Sequence, residues 1–404
     1  MPVDPPTTGT LKTTPFHART SALCVSQAWR RWAGYQVASS YELLHDREYH
    51  AIRSAAALLD VTPLYKYLIT GPDAARLLDR VVTRNVAKSR VGQVLYTPWC
   101  DAGGKVIDDG TVSRLGDQSF RLTAADPNLR WLHLNATGLR VTIDDASEST
   151  AALALQGPNA RAILQQLTDA DLSGLKYFRL TQTTLRGIPV TLSRTGYTGD
   201  LGYEIWVDAA RALPLWDALI NAGTPYGITP TGILALDMAR IEAGLMLLEV
   251  DYVSAHRALI DSQKSSPFEL NLGWTVSLEK EWFVGRDALL AEVARGPAWQ
   301  FVGIEVEWDS LERLYAEVRL PPRLPTAAWR VSVPVSADGA QVGYASSGCW
   351  SPLLKKYIAL AHLQSAGAGP GTPVTMEVTV EHRRKQANAR VVPTPFFNPE
   401  RKRA

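Results

Sequence analysis

The sequence predicts an α+β protein that ends in a β-rich unit, and three observations carry that reading. Its 404 residues exceed what one hydrophobic core organises, so the chain divides. Up to about residue 290 helical and strand patterns alternate, whereas from Gly296 onward short strands broken by Pro and Gly dominate. Hydrophobic residues at 46% and charged residues at 20% lie in the globular range, which sets aside disorder and coiled coil.

Taken in order, residues 1–16 place Pro2, Pro5, Pro6 and Pro15 among threonines and read as a loose tail without the basic and apolar regions of a signal peptide. Between Glu48 and Asp60, Ala51, Ala55, Leu58 and Leu59 fall at helical intervals, and DVTPLYKYLIT behind them turns β-rich. Gly71-Pro72-Asp73 then starts an amphipathic helix in AARLLDRVV. VGQVLYTPWC, DAGGKVID and DGTVSRL read as a hairpin around a Gly-Gly turn. The run AALALQGPNARAILQQL repeats the strand, Gly-Pro, helix order, which suggests two related α+β halves, although a Gly-Pro helix start is common enough to recur by chance. QFVGIEVEWD, WRVSVPVSAD, QVGYASSGCW, YIALAHL and PVTMEVTVEH predict a small β-barrel or sandwich, with GAGPGT a turn inside it and RKRA a frayed basic end.

Charge and cysteine usage bound the partners. The 42 Lys+Arg against 40 Asp+Glu give +2, so there is no net field for nucleic acid and no polybasic membrane segment. No run of 18 apolar residues occurs, so no membrane partner is expected either. A small molecule is the expected partner. Cys24, Cys100 and Cys349 are too far apart for a disulfide framework or a CxxC metal pair, which fits a cytoplasmic protein. The histidines show no HxH or HExxH spacing, no GxSxG or GxGxxG occurs, and no metal site is expected. Most tryptophans, Trp274 in LNLGWTVSL among those considered, are expected to pack in the core or barrel.

Three stretches could carry chemistry. In GGKVIDDG the paired Asp108 and Asp109 point to opposite faces of a strand, so one can face a cavity while the other meets solvent or a turn; simple turn chemistry is the alternative. In SRTGYTGDLGYEIWV, Gly196, Gly199 and Gly202 surround Tyr197, which lets backbone approach a flat ligand, and Glu204 behind them can accept two hydrogen bonds from an amidine-like edge such as that of a pteridine. A plain glycine-rich hairpin with an exposed Glu fits the same residues. In LALDMARIEAGL, Asp237 and Arg240 could pair weakly along a helix, or Arg240 could clamp a carboxylate.

Ordered motifs carry a resemblance over nearly the whole chain. Thr14-Pro15, Ala33-Gly34-Tyr35, Leu59-Asp60-Val61-Thr62, Gly103-Gly104 through Asp108-Asp109, Leu153 through Gly157-Pro158, Thr195-Gly196-Tyr197-Thr198-Gly199 through Glu204, Arg240 through Leu245, Trp274, Ser347-Gly348-Cys349 through Ser351-Pro352, and Lys355-Lys356 follow one another as in that family. The chain resembles the folate-binding aminomethyltransferase family, the glycine cleavage T-protein and its relatives. The resemblance implies a three-lobed cloverleaf around a central site for tetrahydrofolate, with residues 12–290 forming two α+β lobes and 297–396 a C-terminal β-barrel. It implies that Asp109 is the catalytic aspartate beside the folate N10 and that Glu204 holds the pterin edge. Arg240 and Trp274 lie near the folate, Tyr96 is a pocket aromatic, and Tyr197 is a further folate contact.

Departures concern the donor. Pro63 replaces the histidine of the T-protein pattern, and Leu248 and Glu249-Val250 replace its aromatic and Gly-Asn. The implied function is a tetrahydrofolate-dependent aminomethyl- or methyltransferase. Its donor is an aminomethyl group on a lipoyl carrier protein or, preferred on these departures, a small methyl compound. Two rivals are a folate-binding assembly or regulatory protein, against which the retained Asp109 argues, and the folate module of a sarcosine or dimethylglycine oxidation system.

Overall fold

The computed structural model describes residues 11–403, so Pro2, Pro5, Pro6 and Ala404 lie outside the described residues. Each Gly-Pro step turns a strand into a helix, and the two copies belong to separate sheets. Tyr65–Thr70 passes through Gly71 to the helix Ala74–Val81, and Thr150–Gln156 passes through Gly157 to the helix Ala160–Gln165. Gly71 and Gly157 have φ of +119° and +124°, and a Cβ there would stand 2.6 Å from the Arg140 carbonyl oxygen and 2.7 Å from that of Ala55. Both the left-handed backbone and the close approach require glycine.

The strand Tyr65–Thr70 sits in a five-stranded sheet in the order Val94–Cys100, Val106–Gly116, Ser119–Ala124, Tyr65–Thr70, Thr142–Asp145. The strand Thr150–Gln156 sits in a six-stranded sheet between Gly202–Asp208 and Ala56–Asp60. That last strand corrects the helical reading of residues 48–60. The helix stops at Ser54, and Ala56–Asp60 pairs antiparallel to Thr150–Gln156 and parallel to Ile228–Pro230. Leu58 and Leu59 are both buried because both faces of this strand are covered, and a run apolar on both faces imitates a helical stripe.

The C-terminal strands close into a barrel in the order Trp299–Val306, Lys356–Gln364, Ala340–Ser351, Val333–Ala337, Pro373–Val380, Arg383–Val392. This decides between barrel and sandwich. Its helix Trp308–Ala316 is absent from the strand-only reading of this region; it is tied down where the Asn388 amide donates to Ser310 Oγ at 2.9 Å.

Polar groups dock the barrel onto the lobes. A bulge between Ala345 and Ser347 lets two successive hydroxyls, of Ser346 and Ser347, both donate to Asp251 Oδ1 at 2.6 Å. Tyr49 and Ser351 donate to Glu242 Oε1 while Arg53 forks onto its Oε2, with Nη2 at 2.6 Å. The basic segment read as a frayed end is instead ordered. Arg401 grips Asp200 through Nε at 2.6 Å and Nη2 at 2.8 Å, and Phe397 lies under the Arg53 guanidinium.

Candidate active site

Where lobes, barrel and the 394–403 segment meet, a cavity of about 750 Å³ opens, lined by residues from Arg30 to Arg403. Tyr96, Asp109, Tyr197, Glu204, Arg240 and Trp274, far apart in sequence, all line it.

Asp109 reaches the cavity from the strand Val106–Gly116, paired on one side with Val94–Cys100. Asp109 faces Pro98 in that ladder, so Tyr96, two residues before Pro98, is its diagonal neighbour on the same face. The Tyr96 hydroxyl donates to Asp109 Oδ2 at 2.8 Å, and the Tyr252 hydroxyl donates to Oδ1. Burial raises the Asp109 carboxyl above its ordinary range, and these two hydroxyls, Tyr252 ahead of Tyr96, pull it back. Alternation does send Asp108 away from the cavity, but into protein rather than solvent. Asp108 is fully buried and accepts from the amides of Asp109 at 2.7 Å and Asp126 at 3.0 Å and from Asn128 Nδ2 at 2.8 Å.

Glu204 stands on the strand Gly202–Asp208, where Thr195 donates to its Oε2. Burial raises its carboxyl too, opposed by Thr195 and by the charge of Arg121. Arg121 is buried, its guanidinium 4.0 Å from the Trp206 ring centre, with Nε and Nη2 unpartnered; burial brings it down to about 9. The neighbouring glycines serve the protein more than a ligand. A Cβ on Gly196 or Gly202 would fall within 2.1 Å of the Gln156 amide, and one on Gly199 within 2.5 Å of Ala243. Gln156 accepts from Thr198 at 2.8 Å and so fixes this loop.

Arg240 does pair with Asp237, at 3.0 Å, but as a buried ion pair rather than a surface one, the two side chains 1% and 2% exposed. Its Nη1 donates to Asp251, leaving Nη2 buried without a partner. Asp237 also accepts from Arg330 Nε at 2.5 Å. Trp274, which the resemblance puts near the folate, is not among the tryptophans packed in a core: it is 63% exposed, lines the cavity and stacks on Tyr96 with ring centres 6.2 Å apart. Of the four departing positions, Leu248 lines the cavity, whereas Pro63, Glu249 and Val250 do not.

Sequence reasoning missed Tyr252, Thr195, Arg121, Arg30, Arg330 and Lys402. Tyr252 lies in a loop after the helix Ile233–Glu242, outside the named strands and with an isolated bridge to Leu248, so no periodicity announces it. Arg121 could have been found, because an arginine between Phe120 and Leu122 in the otherwise uncharged strand SFRLTA needs a reason to be buried. Among the described residues no cluster of His, Cys, Asp or Glu is arranged for a metal, and no helix is long and apolar enough to cross a membrane.

Buried carboxylates braced by hydroxyls, with aromatic and guanidinium walls around one cavity, define an enzyme site for a small molecule. The GCVT N-terminal domain matches residues 16–280, and the glycine cleavage T-protein C-terminal barrel domain matches residues 318–398. An aminomethyltransferase of Streptomyces avermitilis is 37% identical over 374 residues, covering 91% of this chain and 92% of that protein. A trimethylamine-oxide aldolase of Ruegeria pomeroyi is 34% identical over 369 residues, 88% of this chain but 43% of that protein. The crystal structure of glycine cleavage system aminomethyltransferase T from Bartonella henselae shares the fold, with a TM-score of 0.81 over 96% of this chain and 99% of that one at 24% identity. The chain belongs to the glycine cleavage T-protein family of folate-dependent one-carbon transferases.

Proposed function

We propose that this chain moves a one-carbon unit from a small donor to tetrahydrofolate, with Asp109 as the group that handles charge at the reacting atoms. The observation that carries this reading is the clamp of Tyr96 and Tyr252 on Asp109 inside a cavity that also holds Glu204. The residues fit tetrahydrofolate. Glu204 has Thr195 as its one hydrogen-bond donor among the described residues, and the pterin edge offers two more. The unpartnered Nη2 of Arg240 and the ring faces of Tyr96 and Trp274 fit a polar, partly aromatic ligand.

When bound, tetrahydrofolate supplies N5 and N10 as acceptors of the one-carbon unit. Asp109, its rotamer held by two hydroxyls, can orient a weakly basic nitrogen and stabilise positive charge arising beside it. Glu204 sets the ligand's orientation, and Tyr197, whose hydroxyl donates to the Met246 carbonyl, stiffens the wall between Arg240 and Asp109. The reading includes a cytoplasmic enzyme whose lobes span 12–290 and whose barrel spans 297–396.

For the donor, a small N-methyl amine or related methyl compound is preferred over the lipoyl-bound aminomethyl group. Leu248 in the cavity wall supports this. So does the likeness to a protein named for trimethylamine oxide. The relatives named aminomethyltransferase favour the second reading, a lipoyl carrier as partner. Incubation with tetrahydrofolate and either aminomethyl-loaded lipoyl carrier or N-, S- and O-methyl compounds, reading methylene- and methyl-folate, separates them. Fast turnover with the carrier alone would sink the preferred donor.

A further inference from the structure

Lys66 and Arg121 both reach from the five-stranded sheet to the six-stranded one, and the protein treats these two buried cations differently. Lys66 stands opposite Thr123 in the ladder between Tyr65–Thr70 and Ser119–Ala124 and is fully buried. Its Nζ donates to the carbonyls of Thr62 at 2.6 Å and of Ser147 and Thr150 at 2.9 Å, so its three N–H groups are satisfied. Arg121, two residues before Thr123 and on the same face of its strand, is 6% exposed and lies against the Trp206 ring of the other sheet. Neither its Nε nor its Nη2 has a partner. A buried guanidinium with unmet N–H groups destabilises a fold, and an apolar side chain of similar length would avoid that penalty. Its presence calls for a role outside packing.

Trp206 and Glu204 alternate on the strand Gly202–Asp208, so their side chains share a face, and both line the cavity. Arg121 is not part of that lining; its guanidinium sits on Trp206, in the protein that backs the wall. Burial pushes Glu204 toward its neutral form, and the Thr195 hydroxyl and then the Arg121 charge oppose it. The other groups around this carboxylate carry no charge of their own. Ser193 and Ala154 flank it in the two ladders, and burial keeps Tyr177 protonated, Arg403 opposing and Glu204 assisting. Lys402 acts on Tyr177 instead, its Nζ 5.7 Å from the ring centre. Among the described residues no ion pair joins Arg121 to Glu204, so the guanidinium supplies charge without occupying the carboxylate's oxygens. We propose that Arg121 is a positioning residue that acts through Glu204: from a distance it keeps the carboxylate ionised, with its oxygens open to the two N–H groups of the pterin edge. This rests on the reading above that puts the pterin on Glu204. A neutral Glu204 could turn an O–H toward that edge, donor against donor.

Arg121→Met keeps most of the side chain and removes the charge, and calorimetry of tetrahydrofolate binding to the whole protein across a pH series reads the effect. The Arg121 charge favours the ionised form, so without it Glu204 takes up its proton at higher pH and binding fails there. The midpoint of that acid loss should rise by about one pH unit or more, which on the acid limb is about tenfold in affinity. At the alkaline end, where the carboxylate forms unaided, the variant should bind as the unaltered protein does. Arg121→Lys should bring the midpoint back, and in a Glu204→Gln background Arg121→Met should change nothing. The Arg121→Met protein should melt at the same temperature or higher, because it loses a buried charge with unmet N–H groups. A midpoint that stays put, a loss of affinity equal at every pH, or a clear drop in melting temperature overturns the proposal, since packing or direct ligand contact would then explain the residue. If Glu204→Gln alone leaves tetrahydrofolate affinity unchanged, the pterin is not on Glu204, and that reading falls together with this one. Weakened binding in Glu204→Gln beside an unmoved midpoint in Arg121→Met removes only the role of Arg121.

Discussion

Replacing Tyr252 by Phe removes one hydroxyl from Asp109 and leaves the ring in place. A hydrogen bond to a charged acceptor contributes about 1.5 to 3 kcal/mol, and one pKa unit corresponds to about 1.4 kcal/mol. The Tyr252 bond favours the ionised carboxylate, so its loss raises the Asp109 pKa, by about one to two units on that scale. If the ionised form is the working one, kcat/KM falls as pH drops through this pKa, and the acid limb of the profile should move to higher pH by that amount in Tyr252→Phe. Tyr96→Phe, which frees the other oxygen, should shift it the same way. The assay is the pH dependence of folate product formation, with melting curves run alongside to keep destabilisation apart from titration. An acid limb that stays put in both variants, or moves to lower pH, refutes the clamp as the means of tuning Asp109.

Asp109→Asn is nearly isosteric and should keep folate binding while lowering turnover about a hundredfold or more. Asp108→Asn should act on stability instead: an amide replacing one of the oxygens that accept from Asp109, Asp126 and Asn128 turns an N–H toward another donor, costing about 1 to 3 kcal/mol in thermal unfolding. A folded Asp108→Asn protein with crippled turnover, beside a fully active Asp109→Asn, would reverse the assignment. Glu204→Ala should weaken tetrahydrofolate by about 1.5 to 3 kcal/mol in calorimetry, and unchanged affinity would place the pterin elsewhere. In the unaltered protein that affinity should decline as pH falls toward the Glu204 value, which burial holds above the ordinary glutamate range.

Local grammar made some of this legible and left the rest dark. Gly71 and Gly157 could be read because a Gly-Pro helix start is written in adjacent residues. Leu58 and Leu59 misled, since burial on both faces removes the alternation that marks a strand. The Asp108 and Asp109 pair told that one acid faces a cavity, yet not that the other would be buried among amides, because Asn128 and Asp126 come from the turn beyond the next strand. Tyr252 and Arg330 are contributed by irregular segments, and their approach to Asp109 and Asp237 depends on how lobes and barrel meet. Glycines in the 196–202 loop look like a ligand cradle in sequence, but the space they leave is filled by Gln156 and Ala243.

The order of synthesis gives the 394–403 segment a temporal meaning. Asp109, Glu204 and Arg240 leave the ribosome well before the strand that carries Ser346, Ser347 and Ser351, and Asp251 and Glu242 lack those hydroxyls until it arrives. Asp200 waits longer, for Arg401, and the cavity wall for Lys402 and Arg403. A nascent chain therefore carries Asp109 for most of its synthesis without the full set of walls that surround it in the finished cavity. The wall is complete only when the strand Ala340–Ser351 and the 394–403 segment have both been made.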